Sequence, residues 1–103
     1  MTDHHPPRRY PRHPVSIECE VEGASGHASL RLSELSAGGC YVDTRTQFSV
    51  DTAVTIRAQF PAGELVFTGR VLYVQPGYGF GVAFDALTDS TRQQLDAFLQ
   101  QAQ

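Results

Sequence analysis

The sequence contains no lysine, so all eight of its basic side chains are arginines. It has no tryptophan, only two cysteines, and no apolar run of about 18 residues, the length that a membrane-spanning helix needs. The polar N-terminus also lacks the apolar core of a secretory signal. We therefore expect a cytoplasmic protein with no direct membrane insertion. At 103 residues and 41% apolar, the chain suits one domain with one core.

Patterns typical of metal sites and enzymes are missing as well. Cys19 and Cys40 are expected to be reduced core residues, as is usual inside the cell, and no spacing of cysteine and histidine resembles a zinc site. Ser36 lacks the sequence context of a nucleophile elbow. A phosphate-binding loop of the Walker type would need the lysine that the chain lacks. The sequence therefore predicts a binding protein, not an enzyme, with no cofactor and no metal.

The positive charge that is present is concentrated near the N-terminus. Arg8, Arg9 and Arg12 are three of the eight arginines, although the whole chain has a net charge of −3. A nucleic-acid binder usually carries broad positive charge, because much of its affinity comes from neutralising phosphates. One compact basic cluster instead favours a small anionic ligand, and a solvated basic tail is the alternative. Prolines 6, 7, 11 and 14 predict that residues 1–14 form a flexible, extended arm.

After the arm, apolar and polar residues alternate with the period of a half-buried strand. Turn residues divide this region into six predicted strands at 15–21, 28–33, 40–42, 53–60, 64–75 and 78–84. Thr88 to Thr91 then offer helix caps, and Leu95, Phe98, Leu99 and Ala102 follow at helical spacing. We predict an all-β (mainly β) fold, a six-stranded antiparallel barrel with one C-terminal helix at about 88–102, so that residues 15–103 form one domain.

A polar turn separates the second and third predicted strands. It reads Glu34-Leu35-Ser36-Ala37-Gly38-Gly39. One interpretation is that Ser36, Gly38 and Gly39 serve only to form a tight turn. With the basic arm earlier in the same chain, however, the turn becomes a candidate for one half of a binding site.

The two segments together resemble the PilZ domain family over roughly residues 8 to 100. That family carries Arg-x-x-x-Arg before the first strand and Asp/Asn-x-Ser-x-x-Gly after the second, and the chain has Arg8-x-x-x-Arg12 and Glu34-x-Ser36-x-x-Gly39. The resemblance implies a PilZ-type barrel that binds the second messenger cyclic di-GMP as a monomer or a stacked dimer. It implies that the ligand contacts Arg8, Arg9, Arg12, Glu34, Ser36, Gly38 and Gly39.

The residue types fit that ligand. A guanidinium is a planar fork of donors that suits phosphate oxygens and the O6 and N7 acceptors of guanine. Glu34 departs from the family pattern, since it has one methylene more than aspartate. A misaligned hydrogen bond to a charged group costs about 1.5–3 kcal/mol. We therefore expect Glu34 to weaken binding without abolishing it.

Three functional hypotheses follow. In the first, cyclic di-GMP orders the arm over the barrel, and the protein signals through an unidentified protein partner. In the second, the chain is a PilZ-fold interaction adaptor that no longer binds the nucleotide. The third, a barrel that binds single-stranded nucleic acid, needs a basic groove, which the acidic net charge disfavours. We therefore expect no nucleic-acid partner.

Overall fold

The computed structural model describes residues 11–24, 26–46 and 48–101, and these residues form six strands and one helix. The elements are β1 (His13–Gly23), β2 (Gly26–Leu35), β3 (Gly39–Asp43), β4 (Ala53–Phe60), β5 (Gly63–Gln75), β6 (Gly79–Phe84) and α1 (Asp89–Gln101). Every paired strand is antiparallel, and the order β1-β2-β3-β6-β5-β4 closes into a barrel through pairing of β1 with β4. The predicted fold class is confirmed.

Strand β1 shows why the alternating pattern produces this fold. Its residues Ile17, Cys19 and Val21 are buried, and the glutamates between them are exposed. Successive strand residues point to opposite faces, so one face enters the core and the other meets water. The strand is two residues longer at each end than the predicted 15–21. Residues 1–10, which include most of the predicted arm, lie outside the described residues.

The interior of the barrel is lined with apolar side chains, and several aromatic rings pack in pairs. Phe67 stacks on Phe84 with ring centroids 4.5 Å apart. Phe48 packs on Phe80 at 4.3 Å, although it belongs to the segment between the strands predicted at 40–42 and 53–60. This connection between β3 and β4 therefore contributes a side chain to the core.

Helix α1 begins at one of the predicted caps. The Oγ1 of Thr88 accepts a hydrogen bond from the Thr91 backbone N–H at 3.2 Å, which satisfies one of the free donors of the first turn. Leu95 and Leu99 are buried in the core cluster, and the ring of Phe98 meets Phe60 edge-on at 4.9 Å. Three residues of the predicted apolar stripe thus pack against the barrel, and the fourth, Ala102, lies outside the described residues.

The two cysteines are free and buried, as expected for reduced core residues. Burial, with a smaller effect of the nearby Glu20 carboxylate, raises the pKa of Cys19 to about 11. Burial also raises the pKa of Cys40. Because the thiolate is the reactive form, both thiols should resist modification while the barrel is folded.

We predict that a thiol-specific aromatic disulfide reagent at pH 8 labels neither cysteine in the native protein and labels both in urea. At that pH about 10⁻³ of Cys19 would be thiolate, given a pKa of about 11. Absorbance of the released thiol measures the labelling. Rapid labelling of one cysteine without denaturant would show that a thiol is accessible in the folded state.

Candidate ligand-binding face

Arg12 is the arginine of the predicted arm that lies within the described residues. It directly precedes β1, and its Nη1 donates a hydrogen bond to Oε1 of Glu34 at 3.0 Å. The Arg12 side chain is 26% exposed and that of Glu34 is 42% exposed. The structure therefore brings together one residue from each predicted motif, 22 positions apart in the chain. Arg8 and Arg9 lie outside the described residues.

Glu34 is placed by the strand register. It pairs with Pro14 on β1 and with Tyr41 on β3. The same row continues across the sheet, since Tyr41 pairs with Gly81 and Gly81 pairs with Tyr73. Side chains of directly opposed residues lie on the same face of a sheet. The row therefore sets a carboxylate and two phenol rings side by side on the outside of the barrel.

Tyr73 is a residue of this face that the two motifs do not identify. The guanidinium carbon of Arg12 lies 5.7 Å from the centre of its ring, within cation–π range. Gly81 makes room for the ring, because a Cβ at that position would overlap the Tyr73 side chain. A glycine inside a strand marks such close approaches. The glycine at position 81 is thus the sequence signal that could have pointed to a ring on the neighbouring strand.

The electrostatic surroundings keep Arg12 charged. Its partial burial acts to lower its pKa, but hydrogen bonds with Tyr73 and Glu34 and the charge of both groups outweigh burial and raise the pKa. Burial, together with the nearby Tyr73, Asp43 and Glu34, also raises the pKa of Tyr41. At neutral pH this face therefore presents the charged guanidinium of Arg12, the neutral phenol of Tyr41 and carboxylate oxygens. These groups can bind phosphates, stack on rings and accept hydrogen bonds.

Ser36, Gly38 and Gly39 form the tight turn that follows β2. The Ser36 Oγ accepts hydrogen bonds from the backbone N–H groups of Gly38 at 3.2 Å and Gly39 at 3.1 Å. The Ser36 N–H donates to the Gly39 carbonyl at 2.9 Å, and the Phe84 N–H donates to the Gly38 carbonyl at 2.9 Å. Ser36 is buried. The serine thus holds the turn together, directly after the strand that carries Glu34.

Gly39 is required by a close approach between strands. A Cβ on Gly39 would overlap the carbonyl oxygen of Val82 on β6. Gly39 has no positive φ, so the constraint at this position is space and not backbone conformation. The final glycine of the predicted motif therefore lets β3 and β6 pair next to the turn.

The model of the PilZ domain family matches residues 6–101. The chain belongs to the PilZ domain family. Solved structures similar to this PilZ domain include that of CeSA from a cellulose-synthesizing bacterium, which is 23% identical with a TM-score of 0.68 over 88% of this chain and 96% of that one. The PilZ domain of YcgR from Escherichia coli, solved with c-di-GMP, is 18% identical with a TM-score of 0.77, over 92% of this chain and 90% of that one.

A third similar structure is the complex of MrkH from K. pneumonia with c-di-GMP. It is 18% identical with a TM-score of 0.76, and the match covers 94% of this chain and 52% of MrkH. At these identities the likeness demonstrates a shared fold. No curated protein matches the sequence closely enough to count as a relative.

Two further observations concern metals and membranes. Within residues 11–24, 26–46 and 48–101, no group of three or more histidine, cysteine, aspartate or glutamate side chains is arranged to hold a metal ion. In the same part of the PilZ domain, no helix has the length and apolar character needed to span a bilayer.

Proposed function

We propose that this PilZ domain is a receptor for cyclic di-GMP and not an enzyme. The observation that carries the proposal is the hydrogen bond between Arg12 and Glu34, since it joins the two halves of the predicted site. Two of the similar structures, YcgR and MrkH, were solved with c-di-GMP, which supports the same ligand here. We propose that Arg8, Arg9, Arg12 and Glu34 contact it, while Ser36, Gly38 and Gly39 shape the pocket.

The geometry suits a guanine nucleotide. The Arg12 guanidinium offers a planar fork to a phosphate or to guanine O6 and N7. The Glu34 carboxylate can accept from the N1–H and N2–H donors at the opposite edge of the base. The ring of Tyr73 adds an aromatic surface beside both groups. A phosphate, a base edge and a base face therefore each have a partner within one small area.

The existing ion pair does not prevent binding, because it is weak. An exposed pair contributes about 0–1 kcal/mol, and both side chains here are partly exposed. Each charge-assisted hydrogen bond to a bound nucleotide is worth about 1.5–3 kcal/mol. Two such bonds outweigh the pair that they replace. In this scheme Arg12 exchanges its hydrogen bond with Glu34 for one with the ligand. The bound ligand orders the arm, and the ordered arm presents a new surface to a protein partner.

Calorimetric titration of the purified domain tests this function. The proposal expects cyclic di-GMP to bind with a micromolar or lower Kd, and GMP at the same concentrations to give no comparable heat. Absence of heat with cyclic di-GMP, from protein whose circular dichroism shows an intact barrel, would contradict the receptor function.

The Arg12–Glu34 pair also favours a second candidate, the adaptor that no longer binds the nucleotide. In that case the ion pair between Arg12 and Glu34 is permanent, and neither side chain binds a nucleotide. The adaptor function expects no heat in the titration, and it expects that alanine at positions 8 and 12 leaves protein partners bound. If the protein is a receptor, cyclic di-GMP gives heat in the titration, and alanine at positions 8 and 12 reduces the binding of protein partners.

We predict that Glu34→Asp raises the affinity for cyclic di-GMP about ten-fold, equivalent to about 1.4 kcal/mol. The shorter side chain matches the family motif and pulls the carboxylate back from Arg12, which removes a competitor for the guanidinium. Calorimetry measures the change, and Glu18→Asp, on an exposed position of β1, is the matched control. Weaker binding by Glu34→Asp would show that the longer side chain is the better fit.

A further inference from the structure

A second polar groove adjoins the candidate face at the end of the barrel where β3 leads into the β3–β4 loop and β5 turns into β6. Its lining includes Tyr41, Asp43, Arg45, Gln75 and Tyr78. Tyr41 belongs both to this groove and to the row that carries Glu34 and Tyr73. The two areas are therefore continuous on the outer surface.

The groove repeats the chemistry of the first area. There, an arginine, a carboxylate and a phenol come from Arg12, Glu34 and Tyr73. Here, the same three groups come from Arg45, Asp43 and Tyr78. Asp43 lies two residues beyond Tyr41 on β3, so it is on the same face, about 7 Å further along the strand.

The three groups are available to a ligand. Tyr78 is 77% exposed. Arg45 is exposed and forms no ion pair with any other residue that the structure describes. One oxygen of Asp43 accepts a hydrogen bond from the Ser33 hydroxyl at 2.8 Å, which orients the carboxylate. Each carboxylate oxygen has two lone pairs, so both oxygens can still accept from a ligand.

The backbone around these groups is held in place by hydrogen bonds. The Tyr78 N–H donates to the Gln75 carbonyl at 3.0 Å, and the Thr44 N–H donates to the Tyr78 carbonyl at 3.0 Å. The second bond ties the β5–β6 turn to the start of the β3–β4 loop. The Tyr41 hydroxyl donates to the Gln75 side chain and joins the two sides of the groove. A ligand would meet a largely formed site and lose less free energy in ordering it.

We propose that this groove is a second guanine-binding half-site. The inference rests on the proposed function, because cyclic di-GMP contains two guanines and two phosphates. In the half-site, Tyr78 stacks on the base, Asp43 accepts hydrogen bonds from the N1–H and N2–H donors, and Arg45 binds a phosphate oxygen. The first half-site, at Arg12 and Glu34, holds the other guanine.

Calorimetric titration with cyclic di-GMP of an Arg45→Ala/Tyr78→Ala variant tests the half-site. We expect a Kd raised ten- to a hundred-fold, or a stoichiometry reduced from two ligands to one, with measurable binding retained. A raised Kd alone indicates that one ligand molecule places both of its guanines on the protein. A reduced stoichiometry indicates that the groove holds a base of a second, stacked molecule. Tyr78→Phe, which keeps the ring, should bind more tightly than Tyr78→Ala.

The control is Arg92→Ala, on an exposed position of α1, which should change neither value. If the wild type binds and the double variant matches it in both Kd and stoichiometry, the half-site is wrong and the receptor function stands. If the folded wild type gives no heat, the receptor function fails and the half-site fails with it. Thermal unfolding of each variant shows whether a lost signal reflects a lost fold.

Discussion

Replacing Arg8 and Arg12 with alanine is expected to abolish detectable binding of cyclic di-GMP while leaving the barrel folded. Each arginine is proposed to supply at least one charge-assisted hydrogen bond, worth about 1.5–3 kcal/mol. Losing both should weaken binding by a factor on the order of 10² to 10⁴. The fold should survive, because the contacts of Arg12 with Glu34 and Tyr73 are partly exposed. Exposed ion pairs and cation–π contacts each contribute about 0–1 kcal/mol. Calorimetry measures the binding and urea unfolding measures the stability.

A lysine variant separates charge from geometry at the same position. Arg12→Lys keeps the positive charge but loses the planar fork, so its affinity should fall between those of the wild type and Arg12→Ala. Arg92→Ala, on an exposed position of α1, is the matched control and should bind normally. Equal weakening by Arg92→Ala and Arg12→Ala would mean that only overall charge matters, which contradicts a specific role for Arg12.

Gly39→Ala is expected to cause the largest loss of stability among the site variants, with the free energy of unfolding lowered by about 3 kcal/mol. The added Cβ would overlap the Val82 carbonyl oxygen, and that atom belongs to the backbone, which cannot rotate away as a side chain can. The pairing of β3 with β6 begins at Gly39 and Ala83, so the strands must separate locally. Urea unfolding monitored by circular dichroism measures the change.

Gly23→Ala is the matched control for this substitution. A Cβ at Gly23 would meet its nearest atoms at 3.7 Å, an ordinary contact distance, and Gly23 has no positive φ. Its stability should therefore stay within about 0.5 kcal/mol of the wild type. A Gly39→Ala protein as stable as Gly23→Ala would show that β3 and β6 can move apart at no cost.

The barrel could be predicted from the sequence because each strand has one face in the core. On β4, Val54, Ile56 and Ala58 are buried as the alternation requires. The predicted strand bounds differ from the observed ones at the β5–β6 turn. The alternation predicts Tyr78 in the sixth strand, but its N–H donates to the Gln75 carbonyl and closes the turn, so that β6 begins at Gly79. Local alternation cannot show which residue of a hairpin leaves the strand pairing first.

The contacts that build the site could be predicted only in part. The motifs name Arg12 and Glu34, and the structure places them in contact. They do not name Tyr73, because its position depends on an irregular register between Val71 and Tyr73, where β5 pairs with β6. A bulge of this kind moves every later side chain of the strand to the opposite face of the sheet. No periodicity in the sequence reveals it.

The sequence does not predict Phe48 as a core residue either. It lies in a loop without alternation, and its position is set by contact with Phe80 on a strand distant in sequence. The set formed by Arg45, Asp43 and Tyr78 also depends on contacts between residues that are distant in sequence. Arg45 and Tyr78 come from different connections, and the pairing of β3 with β6 brings them to one groove.

Amide chemical shifts during titration with cyclic di-GMP test the central claim most directly. The receptor function predicts that the largest changes in a ¹H–¹⁵N spectrum fall at Arg12 and in the segment from Glu34 to Gly39. Ala97 and Phe98, which line an apolar groove between α1 and the β4–β5 turn, should be unaffected. An unchanged spectrum at saturating ligand, or changes confined to that apolar groove, would contradict the proposed site.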